Sequence, residues 1–563
     1  MKQEISNLIK GVFLDCNYDV DNIIISKANN RDVCDFQCND IFKFAKKFGV
    51  SPISLGENIV AKINELPDFS LYFSSVVFVA PGFINIKISS CLINKYMRFL
   101  YDDPKQILPS YNETFVIDYG GPNVAKPLHV GHMRTAIVGE SIKRIIRYMG
   151  NTVISDVHLG DFGLQIGEVI YAVIRDNVGI DDIDIKYLDK TYPEMNALVK
   201  ENDDIKEECA LITKELQDGN LEYQRLWKRI LEVSKADINN NYKFLGVSFD
   251  YWYGESDAYS YLPKTESILG DKGLLMESNG ALVVDVSDEH DKKEIPPLLF
   301  RKSNGAYLYA STDVATILQR KLDFSPDHIL YVVDNRQEMH FTQVFRTVSK
   351  AGIMDMSQLE FLGYGTVNGS DNKPYKTRSG NTPKLEMLFD EARNLFVSKK
   401  ETNKDMSQDD VNIIVNAILK FADLSNSRSK DYIFDLSKFS EVTGKTGPYI
   451  LYTYLRINKI LCQFGINNVL SDNIYNKSDR DLRLRLLEFS DALISAYNER
   501  MPHYIADYVY NLCVSANIFY QNNHILNMDD CVNQNDWLYI LTITNKIIKQ
   551  MLELLVIDIP TIM

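Results

Sequence analysis

The chain has 563 residues, 45% hydrophobic and 24% charged, an ordinary balance for a globular protein large enough for several cores. Sixty-one basic against 76 acidic residues leave a net charge of −15, so any attraction to nucleic acid must come from local patches rather than from the whole surface. The start, MKQEISNLIKGVF, has no long apolar core after a basic region, and the apolar run Trp537 to Ile559 is interrupted by Asn545, Lys546, Lys549, Gln550 and Glu553; neither a signal peptide nor a membrane span is expected.

Residues 1 to about 110 read as a small α/β unit. Helical patterns over Ile5–Phe13, Ile41–Phe48 and Ile53–Ile63 precede two strand-like runs, Ser75–Val79 and Ile84–Ile88, with Pro81-Gly82 as the turn. Pro104 and Pro109 mark a linker. Next comes the stretch around which the chain is organised, residues 114 to 150. Phe115-Val116-Ile117 predicts a buried strand, and Gly120, Gly121, Pro122 and Pro127 a tight loop. A helix begins near His129 to His132. It has an apolar side at Val138, Ile142, Ile145, Ile146 and Met149, a charged side at Glu140, Lys143, Arg144 and Arg147, and a stop at Gly150. Strand, glycine loop and helix N-terminus form an anion site, because free N–H groups and the helix dipole point at one spot.

Thr152-Val153-Ile154 completes a βαβ unit. HLGDFGLQIGE, residues 158 to 168, holds three glycines and is expected to be a shaped loop rather than a helix. Residues 180 to 245 read as a polar helical insertion, with an acidic run at Glu201, Asp203, Asp204, Glu207 and Glu208 that reads as a solvated face. Strands are expected at Ala281–Val286, Ala306–Ala310, His328–Val333 and Leu359–Val367. From about 385 onwards the pattern is almost wholly helical. Leu484, Leu487, Ala492 and Ile494 open the core of a bundle, and Tyr504, Tyr508, Phe519 and Tyr520 read as core before they read as base-stacking platforms. The eight cysteines, at 16, 34, 38, 91, 209, 462, 513 and 531, form no CxxC pair and read as free thiols of a cytoplasmic protein.

His129 and His132 could be a metal pair or satisfied surface groups. Their place at a helix N-terminus, with Lys126 three residues earlier, suits charge developing on a phosphate, and no third metal ligand of matching spacing is adjacent. Asp118 closes the central strand, where open α/β sheets meet their ligands. Tyr309 and Asp313 are four apart at a strand-to-helix turn, where Thr312 or Asp313 could instead be the N-cap. Gln337 and His340 follow the strand ending at Val333. KPYKTRSGNT, Lys373 to Thr382, is a polar, glycine-containing loop that could be a surface turn or could supply Lys376 and Arg378 to phosphates.

Several of these segments carry a resemblance. PNVAKPLHVGH, Pro122 to His132, resembles the HIGH signature of class I aminoacyl-tRNA synthetases, in the form with AKP before the histidines found in the arginyl-tRNA synthetase family. HLGDFGLQIG, DNRQEMHFTQ (334 to 343), GKTGPYILYTYLRI (444 to 457), FQCND and PGFINI resemble further blocks of that family in the same order, over essentially the whole chain.

The resemblance implies a Rossmann-type α/β nucleotide-binding catalytic domain with a helical insertion at 111–440. It also implies a small N-terminal α/β tRNA-binding domain at 1–110 and a C-terminal all-α anticodon-binding bundle at 441–563. The implied activity is ATP-dependent ligation of L-arginine to tRNA(Arg) through arginyl adenylate, releasing pyrophosphate and AMP, for protein synthesis. Mg²⁺ comes with ATP, tRNA is bound before arginine is activated, and the protein is expected to work as a monomer without a membrane. By the same resemblance, the ATP-binding run is Pro122, Asn123, Val124, Ala125, Lys126, Pro127, Leu128, His129, Val130, Gly131 and His132. Catalysis falls to Lys126, His129, His132, Lys376 and Arg378, with Lys126 sharing the load because the family's second signature, KMSKS, is degenerate here and either Lys373 or Lys376 would meet phosphate. Asp118, Tyr309 and Asp313 would contact the guanidinium, and Asn123, His132 and Gln337 the α-amino and carboxylate groups. Asp118 stands where many relatives have Glu, and the chain ends PTIM rather than PERM. A non-catalytic tRNA-binding paralogue is the alternative. It would be expected to have lost a signature histidine or a pocket acid, and all are present. A different class I synthetase is disfavoured by the arginine-type blocks. A small nucleotidyltransferase would need neither terminal region.

Overall fold

The computed structural model describes residues 1–369, 371–373, 375, 384–398, 406–464, 469–527 and 530–563. The chain divides into two units. One comprises Met1–Pro109, Thr453–Ala492 and Tyr508–Gln550, the other Ser110–Tyr452, Leu493–Asp507 and Met551–Met563. Among the described residues no helix is long and apolar enough to cross a membrane.

The first unit holds an antiparallel sheet in the order Ile25–Lys27, Phe36–Cys38, Phe83–Ile88, Phe73–Val79. The last two strands are those expected around Pro81. The first two, three residues each, are too short to carry a periodic signal, and the helix Ser90–Asp102 was likewise not anticipated. Within this unit the fully buried Arg483 donates to Asp479 at 2.6 Å and to Asn94 at 2.5 Å. Leu484, Leu487, Tyr508 and Phe519 are buried as expected. Ala492, Ile494, Tyr504 and Tyr520 are only half-buried, and Leu493, between the first two, takes the core position.

The second unit is built on four parallel strands: β1 (Thr114–Tyr119), β2 (Thr152–Asp156), β3 (His328–Val332) and β4 (Leu359–Phe361), in the spatial order β4-β3-β1-β2. The chain leaves β1 through helix α1 (Val130–Tyr148) to β2 on one side, then returns to β3 on the other. The order therefore reverses between β1 and β3, and the crevice at their carboxyl ends is where such sheets bind ligands. Register places Asp118 beside both Asp156 and Tyr331. The apolar side of α1 is buried as its spacing requires. Of the charged side only Arg147 is exposed: Glu140 and Lys143 are buried and paired at 2.7 Å, and Glu140 also accepts from Tyr119 at 2.8 Å and from the half-buried Arg144 at 2.9 Å.

Several expectations need correction. Helix α2 (Leu164–Arg175) begins inside the segment read as a loop. Its Gly167 is not a breaker but a point of close helix packing, where a Cβ would lie 2.1 Å from Thr213 Oγ1. Residues 306–310 are not a strand: only Tyr307 bridges to Arg301, and helix α4 (Tyr309–Phe324) begins within them. Of the run 359–367, Leu359–Phe361 stays in the main sheet, and Val367–Asn368 pairs with an unexpected short strand, Tyr432–Ile433. The insertion contains the helices Ile185–Glu201, Asp203–Gln217 and the long α3 (Leu221–Phe244), which precede α4 in the chain. Helix α5 (Glu338–Lys350) follows β3.

Candidate active site

A cleft of about 690 Å³ opens at the carboxyl ends of β1 and β3. After β1 the chain turns at Gly120, whose φ of +74° is open to glycine at little cost. Thr135 of α1 ties this turn to the neighbouring strand: its Oγ1 accepts the Gly120 N–H at 3.1 Å and donates to Val332 O at 2.8 Å. The loop is then zipped to the segment following β2 by Val124 N–H to Gly160 O (3.0 Å) and Gly160 N–H to Pro122 O (3.2 Å). On its other flank it meets the segment opening at Lys384 through the Leu385 N–H to Leu128 O bond of 3.0 Å.

The two histidines cap α1 reciprocally. His129 Nδ1 accepts the Gly131 N–H and His132 Nδ1 accepts the His129 N–H, both at 3.1 Å, with the rings stacked 3.8 Å apart. Because each Nδ1 is an acceptor, the neutral ring carries its proton on Nε2 and keeps that donor for a ligand. Burial, helped by the Lys126 ammonium, pushes His129 down to about 4; burial, His129 and Lys126 push His132 well below the usual imidazole value. In the free protein at neutral pH the histidines are therefore neutral donors, and Lys126 is the cation, its own pKa lowered by burial.

Of the eleven-residue signature run, Asn123, Lys126, His129, Gly131 and His132 line the cleft. Pro122, Val124, Ala125, Leu128 and Val130 are buried beneath it and Pro127 is half-buried, so these six support the loop. Asp118, Tyr309, Asp313 and Gln337 line the same cleft. Asp313 is not a helix cap. It lies within α4, where its carboxylate meets His340 Nε2 of α5 at 2.5 Å, and Tyr309 packs on the same ring at 4.8 Å. Lys376 and Arg378 lie outside the described residues, and Lys373 is exposed.

Asp118 is not a free carboxylate. Arg320, seven residues along α4 from Asp313 and fully buried, donates to Asp118 at 2.7 Å and Asp156 at 2.6 Å, and lies 5.3 Å from the Tyr331 ring. Burial pushes the Asp118 carboxyl up while Arg320 pulls it down. Asp118, Asp156 and His158 have metal-ligand spacing, but Arg320 already occupies both carboxylates, so the trio does not suit a metal ion.

A further acid, Glu255, lines the cleft with His158, and its carboxyl is pushed up to about 7 by burial and by Asp313 and Asp161, against His158. Sequence reading missed Glu255, His158, Thr135 and Arg320. Only the GES turn at 254–256 and the i, i+7 spacing of Asp313 and Arg320 hinted at them, and neither hint specifies a site. One end of the cleft thus presents neutral N–H donors and an ammonium at a helix N-terminus, suited to phosphate. The other presents carboxylates suited to a planar cation with five donors.

The family model for the class I (R) tRNA synthetase catalytic domain matches residues 97–436, that for the DALR anticodon binding domain 450–563, and that for the arginyl tRNA synthetase N-terminal domain 1–88. An arginine–tRNA ligase from Agathobacter rectalis is 39% identical, covering 99% of this chain and 98% of its own. One from Alkaliphilus oremlandii is 38% identical, covering 99% of each. The crystal structure of arginyl-tRNA synthetase from Plasmodium falciparum superposes with a TM-score of 0.82 at 26% identity, covering 100% of this chain and 99% of that one. The chain belongs to the arginyl-tRNA synthetase family of class I aminoacyl-tRNA synthetases.

Proposed function

We propose that the protein ligates L-arginine to tRNA(Arg) at the expense of ATP. The observation that carries this reading is a single cleft joining a phosphate-binding helix N-terminus, with Lys126, His129 and His132, to a carboxylate-lined end with Asp118, Asp313 and Glu255. In the first step an oxygen of the arginine carboxylate attacks the α-phosphorus of ATP and the bond to the β-phosphate oxygen breaks, giving arginyl adenylate and pyrophosphate. In the second, a ribose hydroxyl of the terminal tRNA adenosine attacks the activated carbonyl, loses its proton and displaces AMP. No protein nucleophile is needed, so rate comes from positioning and from stabilising charge at phosphorus.

Lys126 and the Nε2–H groups of His129 and His132 face the phosphates, and the arrival of a polyanion opposes the burial that keeps the imidazoles neutral. Asp313, fixed by His340, and Glu255 are the main partners of the substrate guanidinium. Asp118 contributes less directly, because Arg320 holds it. Tyr309 completes that end, and Asn123, His132 and Gln337 hold the α-amino and carboxylate groups. Mg²⁺ enters as part of the substrate, complexed to ATP, and no protein ligand set is assigned to it. Lys376 and Arg378 are further phosphate contacts. We assign 1–110 and 441–563 to tRNA contact and 111–440 to catalysis, and place the protein in the cytoplasm as a monomer that binds tRNA before activating arginine. Attachment of labelled arginine to total tRNA tests the reading. Charging with arginine but not with lysine or citrulline is expected; no charging, or equal charging with lysine, would overturn it.

A further inference from the structure

The long insertion helix α3, LEYQRLWKRILEVSKADINNNYKF, has the polar sequence of a solvated element, yet three of its side chains hold the loops around the cleft. Trp227 Nε1 donates to Asp161 O at 2.8 Å, Ser234 Oγ accepts the Ala125 N–H at 3.1 Å, and Tyr242 Oη donates to Gly120 O. Positions 227, 234 and 242 are about two helical turns apart in each case, so one face of α3 carries all three contacts. Ser234 and Tyr242 are buried. They grip the signature loop at its two left-handed residues, Gly120 with φ +74° and Ala125 with φ +64°. For a residue with a Cβ that conformation is strained and persists only where its surroundings impose it. A buried N–H also needs an acceptor, and Ser234 supplies the one for Ala125.

Lys126 follows directly. Its half-buried ammonium lines the cleft, and among the described residues Nζ has no hydrogen-bond or ion-pair partner. Its direction is therefore set by the backbone turn before it, and that turn is held from α3. We propose that Ser234 is a positioning residue for ATP: by accepting the Ala125 N–H it fixes the strained turn that presents Lys126 to the phosphates. This rests on the reading above that Lys126 meets ATP. It gives the insertion a part in the reaction, through one oxygen atom of a helix whose other face is polar.

The test is equilibrium binding of ATP to the full-length protein in a double-mutant cycle. Ser234→Ala removes one oxygen and little volume, and a thermal melt checks that the variant is folded. It is expected to raise the ATP dissociation constant about tenfold, the size of effect of one lost buried acceptor. In a Lys126→Ala background the same change should alter it less than about twofold, because the group being positioned is gone. Ser234→Thr keeps the oxygen and should stay within about twofold of wild type, and the KM for arginine should stay within about twofold in Ser234→Ala. Unchanged ATP affinity in Ser234→Ala, or equal losses in both backgrounds, would overturn the proposal. A wild-type protein that binds ATP but shows no arginine-dependent turnover would reject the functional reading instead, and the binding cycle would still decide this one.

Discussion

Glu255 makes the guanidinium end of the cleft sensitive to pH near neutrality. Its carboxyl is held at about 7 by burial, with Asp313 and Asp161 adding to the shift and His158 opposing it. Only the ionised form attracts a guanidinium, which stays protonated throughout. The pKa is raised, so the carboxylate is present above about pH 7 and is lost as pH falls through that value. Between pH 8 and pH 6 its ionised fraction drops from about nine-tenths to about one-tenth, so kcat/KM for arginine should fall about ninefold. His129, at about 4, and His132, held well below the usual imidazole value, are neutral across this window and add no limb in the free protein. Glu255→Gln keeps the shape and removes the charge. It should flatten the profile and lower kcat/KM by about 10- to 100-fold at pH 8, the range for losing a charged hydrogen bond. Arginine-dependent exchange of pyrophosphate into ATP, measured with tRNA present from pH 6 to 8 and arginine subsaturating, reads both effects. A flat wild-type profile, or an acid limb retained in Glu255→Gln, would show that Glu255 does not meet the guanidinium.

Three other substitutions follow from the geometry. Arg320→Met leaves Asp118 and Asp156 buried side by side without their shared cation, and should cost about 3–5 kcal/mol in urea unfolding; a loss under about 1 kcal/mol would show that the pair is not held as described. Arg134 donates to the carbonyls of Gly365 (2.7 Å), Thr366, Arg428 and Lys430 (each 3.1 Å), and so fastens α1 to the stem that leads towards Lys373. Arg134→Lys keeps the charge but not the fan of donors and should cost about 2–4 kcal/mol in the same assay. His132→Ala should abolish exchange while lowering stability only by the loss of a cap, about 1 kcal/mol; full activity would contradict the role given to the loop.

The sequence revealed best what is local and periodic. Phe115 to Gly150 spells out strand, turn and helix through apolar spacing and glycine placement, and the structure has those elements within a few residues. Asp118, Asn123, Lys126, His129, His132, Tyr309, Asp313 and Gln337, drawn from three separated segments, all reach one cleft. Charge was harder to read. Nothing in HVGH announces that both rings cap the helix and lose their charge to burial, and nothing in TILQRK announces that Arg320 runs under the sheet to Asp118. Glu255 lay in a turn without periodicity, and its place beside Asp313 depends on contacts distant in the chain. The polar helical insertion is present and its acidic run is exposed, but the grip of α3 on the loops was illegible for a related reason: three contacts seven or eight residues apart are too sparse to change the average polarity of a 24-residue helix.

The most direct test of the central claim is arginine-dependent exchange of pyrophosphate into ATP by the full-length protein, with and without tRNA. Exchange that requires arginine and is strongly stimulated by tRNA is expected. Absence of exchange under both conditions would contradict that claim.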